Sequence, residues 1–147
     1  LAGMHVCDVP GATGYIDTNY EGKQQAALEE LKTGQDLVYI HVEAPDECGH
    51  RGEVLNKVKA IEDIDRRILQ PLLKEVAAMG DFDVLILPDH PTPLAIRTHA
   101  SDPVPYLLYR SYAETDSGVT AFTEKAARAV GKLVEPGYTL LAHMLRP

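Results

Sequence analysis

Apolar residues along this chain fall into two kinds of run. Four are short and nearly continuous: 3–7, 36–42 (built on Leu37-Val-Tyr-Ile40), 83–87 and 106–109. Runs of that length, bounded by glycine, proline and aspartate, predict buried strands. The other kind steps by three or four. Over 23–32, Ala26, Ala27, Leu28 and Leu31 keep helical spacing and meet a stop at Gly34. Over 53–79, Val54, Val58, Ile61, Asp65, Ile68, Leu72 and Val76 predict one long helix, with Gly80 as its stop. Pro71 should kink or split that helix, because it lacks an N–H and its ring crowds the preceding turn. Glu62 with Arg66 and Asp63 with Arg67 are expected as surface i,i+4 pairs. Two more helices are predicted at 120–130, with Phe122, Ala126 and Val130 on one side, and at 138–145. Strands alternating with helices predict an α/β fold with a largely parallel sheet.

The polar residues that interrupt this pattern are not evenly spread. Ala44-Pro45 ends the strand at 36–42 and is followed by Asp46, Gly49 and His50. Pro88 ends the strand at 83–87 and is followed by Asp89-His90 and then Arg97-Thr98-His99. Two aspartates and three of the six histidines thus lie just past predicted strand C-termini. That edge of an open α/β sheet is where ligands bind. Carboxylates and imidazoles gathered there suit a divalent metal. A single Asp-x-x-x-His reads equally well as an ordinary polar loop; the second cluster favours the metal. The 88–105 segment holds five prolines among its eighteen residues, so little ordering is left to do when a ligand binds. Gly11-Ala-Thr-Gly14 lacks the lysine and spacing of a phosphate loop and reads as a structural turn. Lys23 reads as a solvated helix terminus, with a phosphate contact as the alternative. His5 and His143 are expected at the edge of the core rather than as ligands.

Composition narrows the class of protein. The chain has 147 residues, enough for one domain with its own core. Lys+Arg is 14 against 22 Asp+Glu, a net charge of −8. An acidic balance without a basic run argues against nucleic acid as a partner. No stretch approaches the roughly 18 apolar residues of a membrane helix. The N-terminus has no basic segment followed by an apolar one, so no signal peptide is read. Two cysteines, Cys7 and Cys48, are expected as free thiols in a cytoplasmic setting. Cys48 is expected as a small buried filler, with a thiolate ligand as the alternative. The chain opens on Leu1 rather than Met, and reads as part of something longer.

Four motifs carry a resemblance. His-Val-Glu-Ala-Pro-Asp-Glu-Cys-Gly-His-Arg-Gly (41–52), Ala-Ile-Glu-Asp-Ile-Asp (60–65), Asp-His-Pro-Thr-Pro (89–93) and Arg-Thr-His-Ala-Ser-Asp-Pro-Val-Pro (97–105) resemble the cofactor-independent phosphoglycerate mutases. The archaeal-type branch of these mutases, which belong to the alkaline phosphatase superfamily of two-metal enzymes, is the most similar, and 9–14 and 17–20 also look like it. The resemblance runs from about Gly3 to the end. It implies an alkaline-phosphatase-like sandwich, a largely parallel sheet between helices, of which this is the C-terminal metal-binding part. It implies two divalent cations, Mn2+ or Zn2+ with Mg2+ as a further option. Asp46, His50 and His99 match the protein ligands of one; Asp89 and His90 match two ligands of the other. The remaining ligands and the serine nucleophile are expected upstream. Ser101, Ser111 and Ser117 lie in the wrong order for that nucleophile. Arg51 and Arg97, beside the ligands, are candidate substrate phosphate contacts, with exposed structural arginines as the alternative.

The implied chemistry interconverts 3-phosphoglycerate and 2-phosphoglycerate through a phosphoserine. The expected partners are a small phosphorylated substrate and the missing N-terminal part of the same protein, with no nucleic acid and no membrane. Two alternatives stand beside it: a homoserine kinase-like relative acting on another small hydroxy acid, and a non-catalytic metal-binding module.

Overall fold

A computed structural model describes residues 3–145. The chain divides into two compact units. One is formed by 1–79 with 92–99, the other by 80–91 with 100–147.

The first unit is helical. Helix α1 (Tyr20–Lys32) begins three residues earlier than the apolar spacing predicts. Asn19 is the reason: its side chain caps the Gly22 N–H at 2.9 Å and donates to the Pro10 carbonyl at 2.9 Å. Tyr20, Gln24 and Ala27 form its buried stripe. Helix α2 (Ala44–Arg51) lies where a loop was expected. Pro45, expected to stop the preceding strand, sits in the first turn of α2, where a missing N–H costs nothing. Gly52 closes α2 in the left-handed region, φ 70°.

Helix α3 (Val54–Ile64), a π-helical turn (Asp65–Leu69) and α4 (Gln70–Val76) together make the predicted long helix. Pro71 neither breaks nor ends it. The turn before Pro71 widens instead, with the Gln70 N–H reaching back to the Asp65 carbonyl, and this accommodates the ring and the lost donor. The expected buried stripe is only half right. Ile68 and Val76 are buried, whereas Val54, Val58 and Ile61 face outward along with Leu55. The side that turns inward carries Ala60 and Asp63.

Asp63, expected on the surface, is 1% exposed. Lys59 Nζ and Arg66 Nη2 donate to its two oxygens at 2.8 and 2.7 Å, and Arg67 Nη1 lies at 3.5 Å. Arg66 therefore serves Asp63 rather than the expected Glu62. Arg67 also forms a two-pronged bridge to Glu21 on α1, both bonds 2.6 Å, and stacks over the Tyr20 ring at 4.6 Å. One guanidinium thus ties α1 to the π-helical turn. The hydrogen bond from Lys59, with that from Arg66, holds the Asp63 carboxyl below its ordinary range against the opposing effect of burial.

A depressed carboxyl stabilises the fold above its unfolded-chain pKa, and that stability is lost as pH falls through the folded value. Asp63→Asn is therefore expected to cost about 1–2 kcal/mol at neutral pH, and progressively less in acid. The cationic heads are themselves more than half exposed for Lys59 and Arg66, which keeps the figure low. Denaturant unfolding of both proteins at neutral and acid pH measures this. A penalty that does not shrink in acid would contradict it.

The second unit holds the sheet. Strands β1 (Asp83–Ile86) and β2 (Leu107–Arg110) pair antiparallel, with Asp83 opposite Arg110 and Ile86 opposite Leu107. Arg110 bridges to Asp83 at 2.9 Å and donates to the His143 carbonyl at 2.7 Å, which fastens the C-terminal segment. Helix α5 (Glu124–Val130) is capped by Thr123, whose hydroxyl accepts from the Ala126 N–H at 3.1 Å, and ends at Gly131. A short 3-10 turn (Gly137–Thr139) leads into α6 (Leu140–Met144).

The expected parallel sheet is not formed among the described residues. Two of the four predicted strands, 3–7 and 36–42, carry no ladder. Met4, Val6 and Tyr39 on them are exposed. A strand exists only where a second strand takes up its N–H and C=O groups. His5 and His143, expected at the core edge, are exposed. No helix among the described residues is long and apolar enough to cross a membrane.

Candidate metal centre

The helix in place of a loop at 44–51 decides how Asp46 and His50 meet. Four apart on one helix, they share a face, and His50 Nε2 lies 3.2 Å from Asp46 Oδ2. The third group comes from the 92–99 segment of the same unit. His99 Nε2 stands 3.1 Å from His50 Nε2 and 3.5 Å from Asp46 Oδ1. Ligands at 2.0–2.2 Å from one cation are themselves about 2.8–3.6 Å apart in octahedral or tetrahedral arrangements. The three observed separations fall in or beside that interval.

The surrounding contacts prepare these atoms. His50 Nδ1 is 3.0 Å from the Arg97 carbonyl oxygen. A carbonyl only accepts, so this contact places a proton on Nδ1, and the neutral tautomer that keeps it has its Nε2 lone pair on the side of Asp46 and His99. This is the tautomer a metal requires. Arg97 presents that carbonyl from the left-handed region, φ 53°, which a non-glycine residue rarely adopts. Thr92 is buried and its hydroxyl donates to Asp46 Oδ1, leaving Asp46 Oδ2 on the His50 side. Lys57 Nζ donates to the Thr92 carbonyl at 2.7 Å and ties the segment to α3. Thr92 and Lys57 were not singled out by sequence reading. Thr92 lies inside the Asp-His-Pro-Thr-Pro motif, where a polar residue between two prolines is the one available signal.

Gly49 explains why the segment can come so close. A β-carbon there would meet the Thr92 carbonyl oxygen at 2.7 Å and Lys57 Nζ at 2.8 Å. Cys48, on the other side of α2, is 3% exposed. Burial, then the nearby Glu53, pushes its thiol pKa up, so it packs as a protonated filler.

In the second unit, Asp89 and His90 follow β1. The His90 N–H donates to Asp89 Oδ1 at 3.0 Å, and its Nδ1 lies 3.4 Å from Asp89 Oδ2. The two arginines differ. Arg51 is engaged by Glu47 at 3.6 Å and by the Tyr15 ring at 4.4 Å. The Arg97 side chain lies over Gly52, where a β-carbon would be 2.7 Å from its Nε. Lys23 donates to the His41 carbonyl at 2.9 Å. The 11–14 turn is held by the Thr13 N–H on Thr18 Oγ1 at 3.0 Å and the Thr13 hydroxyl on Asp17 at 3.0 Å, as a structural turn would be.

The chain belongs to the Metalloenzyme superfamily, whose family profile matches residues 1–145, and an Asp-His-His face of this spacing suits a divalent cation. The chain's relatives are more particular. It is 55% identical over 128 residues to the 2,3-bisphosphoglycerate-independent phosphoglycerate mutase of Methanosarcina acetivorans, covering 86% of this chain and 32% of that protein. It is 49% identical over 144 residues to a probable enzyme of the same name from Geobacter sulfurreducens, covering 98% of this chain and 36% of that protein. Among solved structures, the PH0037 protein from Pyrococcus horikoshii matches with a TM-score of 0.81 at 29% identity, over 97% of this chain and 42% of that one. The chain thus spans about a third of the length of the curated relatives it matches.

Proposed function

We propose that the full-length protein interconverts 3-phosphoglycerate and 2-phosphoglycerate by metal-dependent phosphoryl transfer, and that this chain is its C-terminal metal-binding part. The observation that carries the reading is the convergence of Asp46, His50 and His99 within 3.1–3.5 Å. The names of the relatives supply the substrate.

In this reading Asp46, His50 and His99 hold one divalent cation, while Asp89 and His90 hold a second with ligands from the remainder of the protein. When bound, the two cations supply Lewis-acid charge that stabilises both the attacking and the leaving oxygen of the transfer. His50 keeps its Nε2 lone pair available because its Nδ1 proton is committed to the Arg97 carbonyl. Thr92 fixes the rotation of the Asp46 carboxylate. The phosphoryl group passes from the 3-oxygen of the substrate to a serine of the upstream part, and then to the 2-oxygen of the bound glycerate. Water must be excluded during that interval, or the phosphoserine hydrolyses. Arg97 is the better placed of the two arginines to meet a phosphate, since Glu47 and Tyr15 already engage Arg51. The open apolar residues of 3–7, 36–42 and the outward face of α3 are covered by the remainder of the protein, with 36–42 joining a larger parallel sheet.

Mutase turnover and metal content of the full-length protein test this. Two divalent cations per chain and metal-dependent formation of 2-phosphoglycerate are expected. Cations bound without mutase turnover would overturn the substrate; no bound cation would overturn the site.

A further inference from the structure

A second group of metal-ligating side chains lies in the first unit, built from different residues and a different chemistry. His5 and Cys7 stand two residues apart in the 3–7 segment. Glu30, near the C-terminal end of α1, meets them there. One ligand atom from each of His5, Cys7 and Glu30 lies within 4.8 Å of the other two. His5 Nδ1 and Glu30 Oε1 are 3.7 Å apart, too long for a hydrogen bond.

We propose that His5, Cys7 and Glu30 form a binding site for a thiophilic divalent cation of the zinc class, with a fourth position open to water. The spacing suits one. Zn–S of 2.3 Å and Zn–N or Zn–O near 2.0–2.1 Å put tetrahedral ligand atoms about 3.4–3.6 Å apart. Closing from the observed separations needs about 1 Å of side-chain rotation at an exposed site. Imidazole nitrogen, thiolate and carboxylate are each accepted ligands of zinc. A neutral imidazole with two anionic ligands leaves the occupied site with zero net charge, so no further counter-charge is required. The Asp46, His50 and His99 face contains no sulfur. The two sites therefore select differently, and a metal that prefers thiolate reports on this one.

Occupancy would also have a structural effect. The 3–7 segment makes no ladder among the described residues. A cation held jointly by His5, Cys7 and Glu30 would clamp it to α1. Structural sites of this kind add their binding free energy to the stability of whatever they join.

Cobalt(II) substitution in the full-length protein tests the proposal, because a thiolate ligand produces a near-ultraviolet charge-transfer band that oxygen and nitrogen ligands do not. The band is expected in the parent protein. It should be lost in Cys7→Ser and retained in Cys48→Ser, whose thiol is buried. His5→Ala and Glu30→Gln should each weaken cobalt binding read by that band, by at least about tenfold. Absence of the band, or its survival in Cys7→Ser, would overturn the site. A band lost in Cys7→Ser but unchanged in affinity by both His5→Ala and Glu30→Gln would also overturn it, since a lone exposed thiol would then be the ligand.

Discussion

His50→Ala in the full-length protein should empty the cation position at Asp46 and His99 and lower turnover about 1,000-fold or more. The figure follows from the role proposed for the cation. Stabilising charge on a transferring phosphoryl group is worth several kcal/mol, and each 1.36 kcal/mol is tenfold in rate. His50 touches both other members of the face, at 3.2 Å to Asp46 and 3.1 Å to His99. Removing it leaves an aspartate and one imidazole, too few to compete with water for a divalent ion. The fold should notice much less. His50 is one-third exposed, and its hydrogen bonds to the Arg97 carbonyl and to His99 are worth about 1 kcal/mol each. Loss of metal and turnover with a nearly unchanged unfolding transition is therefore the expected pair of results, read by elemental content, 2-phosphoglycerate formation and thermal melting. Full metal occupancy in the variant would sink the ligand assignment.

The residues of this face were legible before the fold was. Asp46, His50 and His99 are chemically distinctive and stand in motifs with a characteristic order, so their grouping needed no knowledge of the backbone between them. The backbone itself was less legible. Pro45 was taken to end order after 36–42, because a proline that stops a strand and a proline that opens a helix look the same in sequence. The outcome depended on Gly52 and on the residues that follow, which close α2 in a left-handed cap. The π-helical turn before Pro71 was equally hidden, since the apolar spacing is nearly unchanged by a single widened turn. Strands 83–87 and 106–109 formed as expected, while 3–7 and 36–42 carry no ladder among the described residues for another reason. Leu37-Val-Tyr-Ile40 has every local property of a buried strand, yet pairing is a relation to a second segment that local properties cannot contain. The same holds for α3. Val54, Val58 and Ile61 are apolar at the right spacing, but the face that turns inward was chosen by Asp63 and the three cations that gather on it.

Gly49→Ala should be the more revealing change, because helix propensity and site geometry push in opposite directions. Alanine is better than glycine in a helix interior by about 1 kcal/mol. Against that, the new methyl would stand 2.7 Å from the Thr92 carbonyl oxygen and 2.8 Å from Lys57 Nζ. Lys57 is a flexible side chain and can withdraw, at the expense of its 2.7 Å bond to that same carbonyl. The carbonyl is backbone and can only move with its segment. Overpacking of this kind costs about 1–3 kcal/mol, so the net change in stability should be about 0–2 kcal/mol, a melting shift of a few degrees. Function should suffer more. Relief of the contact moves 92–99 off α2 by several tenths of an ångström, carrying the Thr92 hydroxyl away from Asp46 and His99 away from His50. A misplacement approaching 1 Å in a catalytic constellation costs about 100-fold. Metal affinity and turnover are accordingly expected to fall about 100-fold in a protein that still folds. Metal titration beside a melting curve separates the two effects. Unaltered metal affinity in Gly49→Ala would mean that the close approach of 92–99 to α2 is a packing feature with no part in holding the cation.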